Sequence, residues 1–417
     1  MEKQLLAAVE VADHEIRLVV AEIFNTRLQI LKTERVECSG FDGIKITNEN
    51  EVVHSLKRAV ENASKNIGAS IQQVLLLIPS VDFKRVMRRV TGEVSQNATG
   101  ISQNDIQRAY ASVMHTDIDP SLEVINVMVS KYIVNGINMK KAPIHEPADH
   151  FVMETEVYMA NRELAYGLAG CIEKAGLGII DIVLDAFGVA KEASLLEQSA
   201  EDVLISIRLE KATTQLCLFS QGKLYSSEIL ETGYGEWISK VKEAFDIPLD
   251  VASRLMIYNC RCDGPVPTQA PIYMWSKNGQ THTCSLAQLM DVCWPLIKRW
   301  IIEINQTCEP IIAAKHASVV FTGEGAIIQG LDQALKEALQ TKVALYVPET
   351  LGVRNGCYTA LLGAFYMYKD MEAWRRRSAG SVNLFEFNAM ISSRKGKDGS
   401  GEETFPKRLK GIFDTKK

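Results

Sequence analysis

Residues 203–224, VLISIRLEKATTQLCLFSQGKL, have the outline of a phosphate-binding β-hairpin without its chemistry. Two apolar runs, Val203 to Leu209 and Gln215 to Phe219, flank a polar turn at Glu210 to Thr213, and Gln221-Gly222 marks a second turn. A nucleotide-binding hairpin of this shape would read Asp-x-Gly-Gly-Gly-Thr at the first turn, because glycines let backbone N–H groups approach phosphate and the Asp holds the metal or its water. Here Arg208 stands in the place of the Asp, and Glu210, Lys211 and Ala212 stand in the places of the glycines. Only Thr213 keeps the pattern.

The N-terminus repeats the substitution. Leu5 to Val11 and Ile16 to Ile23 read as strands around Ala12-Asp13-His14-Glu15, where a phosphate turn would carry glycine, hydroxyls and a lysine. Asp13 and Glu15 would instead present negative charge to a phosphate. At about 5 Å and an effective dielectric near 20, each opposes a phosphate charge by roughly 3 kcal/mol. A third segment keeps its pattern: His316 to Leu331, HASVVFTGEGAIIQGL, reads as a buried strand, then Thr322-Gly323-Glu324-Gly325, then the start of a helix. Glycines in such a turn admit an adenine ring or a neighbouring backbone at close range.

In this order the three segments resemble the actin superfamily, and from about Leu5 to Lys417 the chain resembles the bacterial cell-division family FtsA. The most discriminating part is an extra module at about 82–162. It comprises FKRVMRRVTGEVS as a strand, SQNDIQRAYASVMH as a helix opened by Ser102 with Asp105 three residues on, and EVINVMVSKYIVNGINMKKAPI as strand, turn and strand. The resemblance implies a duplicated α/β, ribonuclease H-like (actin-like) two-domain fold. It divides the chain into a first-domain core at 1–81, the inserted subdomain at 82–162 and the first domain continued at 163–200. The second-domain core follows at 201–244, with an inserted subdomain at 245–314 and the core with its return helix at 315–377. A flexible linker at 378–403 and a membrane-targeting amphipathic helix at 404–417 complete the chain.

The composition is compatible with that division. At 417 residues, 47% hydrophobic and 23% charged, the chain can fill more than one core, and its net charge of −5 gives no reason to invoke nucleic acid. Nine cysteines without a secretory signal read as reduced and mostly buried. Cys260, Cys262, Cys284 and His282 could in principle ligate zinc, but no Cys-x-x-Cys pair is present, and no metal is expected.

The last fourteen residues, TFPKRLKGIFDTKK, place Phe405, Leu409, Ile412 and Phe413 on one helical face, with Lys407, Arg408 and Lys410 around it. The resemblance implies an anionic membrane surface as the partner of this helix. It also implies that the C-terminal peptide of the tubulin-like protein FtsZ docks on the second inserted subdomain, where Trp294, Lys298, Arg299 and Asn305 are candidates. Self-association into actin-like filaments is a further implied possibility. Where the family carries a ribose-binding Glu and Lys, this chain has Ser253 and Arg254, and Gln215 is a further lost nucleotide contact. With Arg208, Glu210, Lys211, Asp13 and Glu15, these departures lead to the expectation of a catalytically dead adaptor at the cytoplasmic side of the membrane. No cofactor is expected, and ATP is a doubtful one. The alternatives are an ATPase in which Arg208 or Lys211 neutralises phosphate, and a scaffold like the PilM component of pilus assembly. In an empty cleft, Arg208 and Lys211 are expected to face Asp13 and Glu15.

Overall fold

The computed structural model describes residues 4–397 apart from 26, 96–98, 115–117, 264–267, 278, 373 and 377–379. In the first half, β1 (Gln4–Ala12), β2 (Glu15–Phe24) and β3 (Arg27–Glu37) form an antiparallel meander. Strand β1, central in the five-stranded sheet, is buried on both faces from Leu5 to Ala12, as a covered sheet requires. Helix α1 (Glu49–Ile67), capped by Asn48 and closed by Gly68, leads to β4 (Gln73–Ile78), which runs parallel to β1.

The chain then leaves the sheet. Strand β5 (Lys84–Glu93), helix α2 (Gln103–Met114) and strands β6 (Leu122–Val134), β7 (Ile137–Met139) and β8 (His150–Asn161) build a separate four-stranded sheet ordered β5-β8-β6-β7, with its own core. Asp105 accepts from the Ser102 amide and hydroxyl at 2.8 and 2.7 Å, so the helix start anticipated at Ser102 is satisfied reciprocally. Asn126 on β6 ties this module to the body, donating to Ile182 O at 3.1 Å and accepting from Leu184 N at 3.0 Å. Helix α3 (Arg162–Lys174) returns to β9 (Gly178–Leu184), which pairs parallel to β4, and α4 (Asp185–Glu192) and α5 (Leu195–Gln198) cross to the second half.

The second half repeats the plan. Strands β10 (Val203–Leu209), β11 (Thr214–Ser220) and β12 (Lys223–Leu230) form the meander. Next come α6 (Gly235–Phe245), α7 (Leu249–Asn259), the hairpin β13 (Pro271–Lys277) and β14 (Gln280–Ser285), and the long helix α8 (Leu286–Lys315). Strand β15 (Ser318–Thr322), helix α9 (Leu331–Leu339) and strand β16 (Val343–Leu345) complete the sheet, and α10 (Thr359–Asp370) returns between the halves. The sheet orders β3-β2-β1-β4-β9 and β12-β11-β10-β15-β16 are the same topology used twice. Helices α4 and α10 cross backbone to backbone at two glycines: a Cβ on Gly363 would lie 1.7 Å from the Gly188 carbonyl oxygen. One apolar core, including Leu6, Phe187, Phe219, Leu361 and Phe365, runs through that crossing and joins the two halves.

The expected linker at 378–403 needs correction. Residues 384–397 are a helix, α11 (Leu384–Lys397), whose start is capped by Asn383 Oδ1 accepting from Phe385 N and Glu386 N. Phe387 and Met390 pack on the core of the first half, and Glu386 accepts from the Ser70 amide and hydroxyl at 2.8 and 2.7 Å. Upstream, Ser381 Oγ accepts from Ala7 N at 2.7 Å, so the segment is bonded to the first strand of the chain.

Candidate functional site

The cleft between the halves is where both altered turns meet. Register pairs Ala12 with Glu15 in the first hairpin and Leu209 with Thr214 in the second, which leaves Asp13-His14 at one tip and Glu210 to Thr213 at the other. The tips interlock. Asp13 Oδ2 accepts from Ala212 N at 2.5 Å and from Thr213 N at 3.1 Å. These are the amides of the turn that a phosphate-binding hairpin turns towards its ligand, so a carboxylate of this chain occupies the position of the anion.

Beside that contact lies a buried network of guanidiniums and carboxylates. Arg17 donates to Glu210 Oε2 at 2.6 Å and to the Cys357 carbonyl at 3.2 Å, and it also bonds Glu15. Arg208 donates to Glu10 Oε1 at 2.6 Å and Glu210 Oε1 at 3.0 Å, and lies 3.5 Å from Asp185. Gln215 donates to both oxygens of Asp185 at 3.0 Å, and Ser80 adds its amide and hydroxyl. At the rim, Arg35 spans Glu15 at 2.9 Å and Glu324 at 2.8 Å, while the Tyr234 hydroxyl donates to Glu324 at 2.8 Å.

Charge in this network does not balance. Glu10, Asp13, Glu15, Asp185, Glu210 and Glu324 face Arg17, Arg35 and Arg208. Burial and the neighbouring charges shift these acids in different directions. Burial pushes Asp13 up to about 6, with Glu210 adding to the rise and the Ala212 and Thr213 amides opposing it. Burial also raises Glu10 in spite of Arg208 and Arg17. Glu210 goes the other way: burial works against its ionisation, but Arg17 and Arg208 outweigh it and hold the carboxyl below the usual range. Glu10 Oε2 and Asp13 Oδ1 are buried without a hydrogen-bond partner.

A nucleotide does not fit these residues. The space bounded by Glu10, Asp13, Asp185, Arg208, Glu210 and Thr213 is about 40 Å³, against the roughly 300–1,000 Å³ of an ordinary ligand pocket. The turn at 322–325, which keeps the expected glycine pattern, is filled as well. Gly323 has φ +99°, and a Cβ there would lie 2.4 Å from Leu209 O; one on Gly325 would lie 2.5 Å from the Leu209 side chain and 2.8 Å from the Tyr234 ring. The close neighbour that these glycines admit is protein. Thr322 is buried and shares a 3.1 Å hydrogen bond with Thr359.

No family model matches the chain. It is 20% identical over 364 residues to Cell division protein FtsA of Enterococcus faecalis, covering 86% of this chain and 82% of that one. The protein of the same name from Borreliella burgdorferi is 21% identical over 416 residues, with 95% and 98% covered. The one from Streptococcus pneumoniae is 21% identical over 362 residues, with 85% and 78% covered. The chain is thus similar to FtsA proteins over 85–95% of its length, at low identity. Solved structures agree on the actin-like fold: the PilM-PilN type IV pilus biogenesis complex matches with a TM-score of 0.56 at 11% identity, covering 87% of this chain and 98% of that one. MreB5 of Spiroplasma citri bound to ADP matches at 0.52 and 10%, covering 88% and 96%.

The expected pairing of Arg208 and Lys211 with Asp13 and Glu15 is corrected by the geometry. Asp13 meets backbone amides, Glu15 meets Arg17 and Arg35, and Arg208 meets Glu10, Glu210 and Asp185. Among the described residues Lys211 enters no ion pair; its carbonyl instead accepts from Gly235 N at 2.7 Å. Arg17, Glu10, Arg35, Asp185 and Glu324 were not among the residues singled out from sequence. The local trace of them in the sequence is an arginine close to three acids, Glu10, Asp13 and Glu15; its burial follows only from the placing of β10.

Helix α8 carries the other candidates. Its N-terminus is a capping box, with Ser285 N donating to Gln288 Oε1 at 2.9 Å and Gln288 N donating to Ser285 Oγ at 3.2 Å. Leu289, Cys293, Ile297, Trp300, Ile304 and Cys308 face the core, and Trp300 Nε1 donates to Thr214 Oγ1 at 2.9 Å, which fixes the helix to the second hairpin. The opposite face presents Trp294, Lys298 and Ile302 four residues apart, with Trp294 38% and Ile302 48% exposed. Arg299 is exposed and paired with Glu236, while Asn305 is half-buried further along. Arg254 pairs with Asp250 one turn earlier on α7, at 2.9 Å. His282 stacks on Trp275 with centroids 5.5 Å apart, and among the described residues no group of three acidic, His or Cys side chains could hold a metal ion. No described helix is long and apolar enough to cross a membrane. Phe405, Lys407, Arg408, Leu409, Lys410, Ile412 and Phe413 lie outside the described residues.

Proposed function

We propose that this chain is a cell-division adaptor that holds filaments of tubulin-like FtsZ against the inner face of the cytoplasmic membrane without hydrolysing ATP. The observation that carries the reading is the Asp13 carboxylate on the Ala212 and Thr213 amides. With that contact made, phosphate would have to displace a buried internal anion and approach Glu10 and Glu210 as well, each opposing it by several kcal/mol at short range. The relatives named Cell division protein FtsA supply the role, and the face of α8 supplies a surface on which an acidic, apolar peptide can dock. Self-association into filaments belongs to the same reading.

Calorimetric titration with magnesium and ATP tests it. No heat of binding and no phosphate release are expected; micromolar binding with turnover lost in Arg208→Ala or Thr213→Ala would defeat it. Membrane attachment is tested separately, on residues 404–417. Each buried apolar side chain contributes about 1.5–3 kcal/mol and each lysine near an anionic surface about 1 kcal/mol, so one tail gives reversible binding that salt weakens. Replacing Phe405, Leu409 and Phe413 by serine should release the protein from anionic liposomes at unchanged melting temperature. Unchanged sedimentation with liposomes would place the anchor elsewhere.

A further inference from the structure

Helix α11 is tied to the body at its start, yet two large apolar side chains stand in solvent there. Asn383 Oδ1 accepts from Phe385 N and Glu386 N, and Glu386 accepts from the Ser70 amide and hydroxyl. Phe387 is buried, and Met390 packs over the end of α1, where a Cβ on Gly68 would lie 2.7 Å from Met390 Cγ. With Phe387 turned inward, Phe385 lies roughly 200° round the helix from it and faces away from the core. Phe385 is 84% exposed, more than any other large apolar side chain among the described residues, and Leu384 beside it is 41% exposed. Ala389 and Ser392 continue the exposed face. Positive charge lies close by. Lys65 is exposed in the last turn of α1, and the sequence of α11 ends Arg394-Lys395-Gly396-Lys397. Its one carboxylate, Glu386, is taken up by Ser70.

We infer that the start of α11 is a second membrane contact: Phe385, with Leu384 beside it, enters the surface of an anionic bilayer next to the tail at 404–417 and fixes which side of the body faces the lipid. The inference rests on the reading that this tail attaches the protein to the membrane. Seven residues, 398–404, separate the end of α11 from Phe405. Even fully extended, they span at most about 23–25 Å. A tail held in the bilayer therefore keeps α11 near the surface, at an effective concentration that lets a weak second contact form. One weak anchor gives only marginal, reversible binding, and firm attachment takes two. The chemistry of this face fits lipid: a phenyl ring and a leucine side chain for the boundary between headgroups and acyl chains, with lysine and arginine nearby for anionic headgroups. The hydrogen bonds at Asn383 and Ser70 hold the ring in place, so the contact transmits an orientation to the first half of the molecule.

The test uses the full chain with p-benzoylphenylalanine at position 385, irradiated on liposomes containing phosphatidylglycerol. A lipid adduct is expected on the peptide holding position 385. None is expected when the photoreactive residue replaces Met274, which is 62% exposed on the β13–β14 hairpin. Phe385→Ser should bind the same liposomes about tenfold more weakly at an unchanged melting temperature, whereas Phe385→Leu should stay within about twofold of the parent, since apolar area is what the contact uses. Suppose the parent sediments with liposomes. Then no lipid adduct at position 385, an adduct to protein in its place, equal lipid adducts at 385 and 274, or Phe385→Ser binding as tightly as the parent overturns the inference and leaves the tail reading standing. If the parent does not sediment with liposomes at all, the tail reading itself fails, and the inference falls with it.

Discussion

Charge is held in opposite ways in the cleft and on helix α8. In the cleft, Arg17 and Arg208 are buried with Glu10 and Glu210, each guanidinium shared between carboxylates. On α8, Lys298 and Arg299 stand at the surface beside exposed Trp294. A buried charge stripped of one partner is costly, because desolvation is no longer offset, whereas an exposed pair is worth little and exchanges partners readily. The cleft charges are therefore held in one arrangement, whereas the exposed charges on α8 can change partners at little cost.

The largest effect that would break this contrast is loss of Arg17. Arg17→Met leaves Glu10, Glu15 and Glu210 without their common cation, and a loss of about 3–5 kcal/mol is expected from urea denaturation. Adding Glu210→Gln should recover part of it, since the two residues share a 2.6 Å bond and their effects should not add. A loss under about 1 kcal/mol in the single variant would mean that water fills the cleft and that its charges behave like surface pairs.

A smaller effect concerns pH. Asp13 has its pKa raised to about 6 by burial, then by Glu210, from an unfolded value near 3.9. The folded form binds the proton more tightly, so the contribution of Asp13 is fully present below about pH 4 and is lost as pH rises through about 6, amounting to roughly 3 kcal/mol at most. Glu210, held low by Arg17 and Arg208 against burial, has the opposite slope: its contribution is lost as pH falls through its folded pKa. Asp13→Asn keeps an acceptor for the two amides and removes the charge. Relative to the parent it should gain stability steadily between pH 4 and pH 6 and change little below. A parallel pair of curves across that window would show that Asp13 is not buried as an excess anion.

How far the sequence disclosed this arrangement differs by element. The hairpins, the module at 84–161 and α8 were legible because apolar period and turn residues are local signals: Val203 to Leu209, Ser102 with Asp105, and Ser285 with Gln288 each announce themselves within a few positions. Loss of the glycines at Glu210 to Ala212 was equally plain. What replaced the ligand was not, because Asp13 and Ala212 lie 199 positions apart and Arg17 reads as an ordinary polar residue of an alternating strand until β10 is placed beside it. Helix α11 escaped for another reason. Among its described side chains Phe387 and Met390 face the core, too few to set a helical period, and its hold depends on Ser70 and Asn383 in the folded chain.

The smallest expected effect sharpens the other side of the contrast. Trp294→Ala and Lys298→Glu alter the exposed face of α8 without touching Cys293, Ile297 or Trp300, which hold the helix in place. Each should leave the unfolding free energy within about 0.5 kcal/mol of the parent while weakening binding of the acidic C-terminal FtsZ peptide about tenfold, equivalent to about 1.4 kcal/mol. Lys298→Glu should lose more at low salt than at high salt, since it reverses a screened surface charge; Trp294→Ala should be insensitive to salt, since it removes apolar contact area. Arg299→Ala provides the internal control. Its exposed pairing with Glu236 contributes little to folding, so a loss of peptide binding there reports on the partner alone. If fluorescence anisotropy shows all three variants binding as the parent does, the outer face of α8 is only a solvated surface, and the partner must be sought on another part of the molecule.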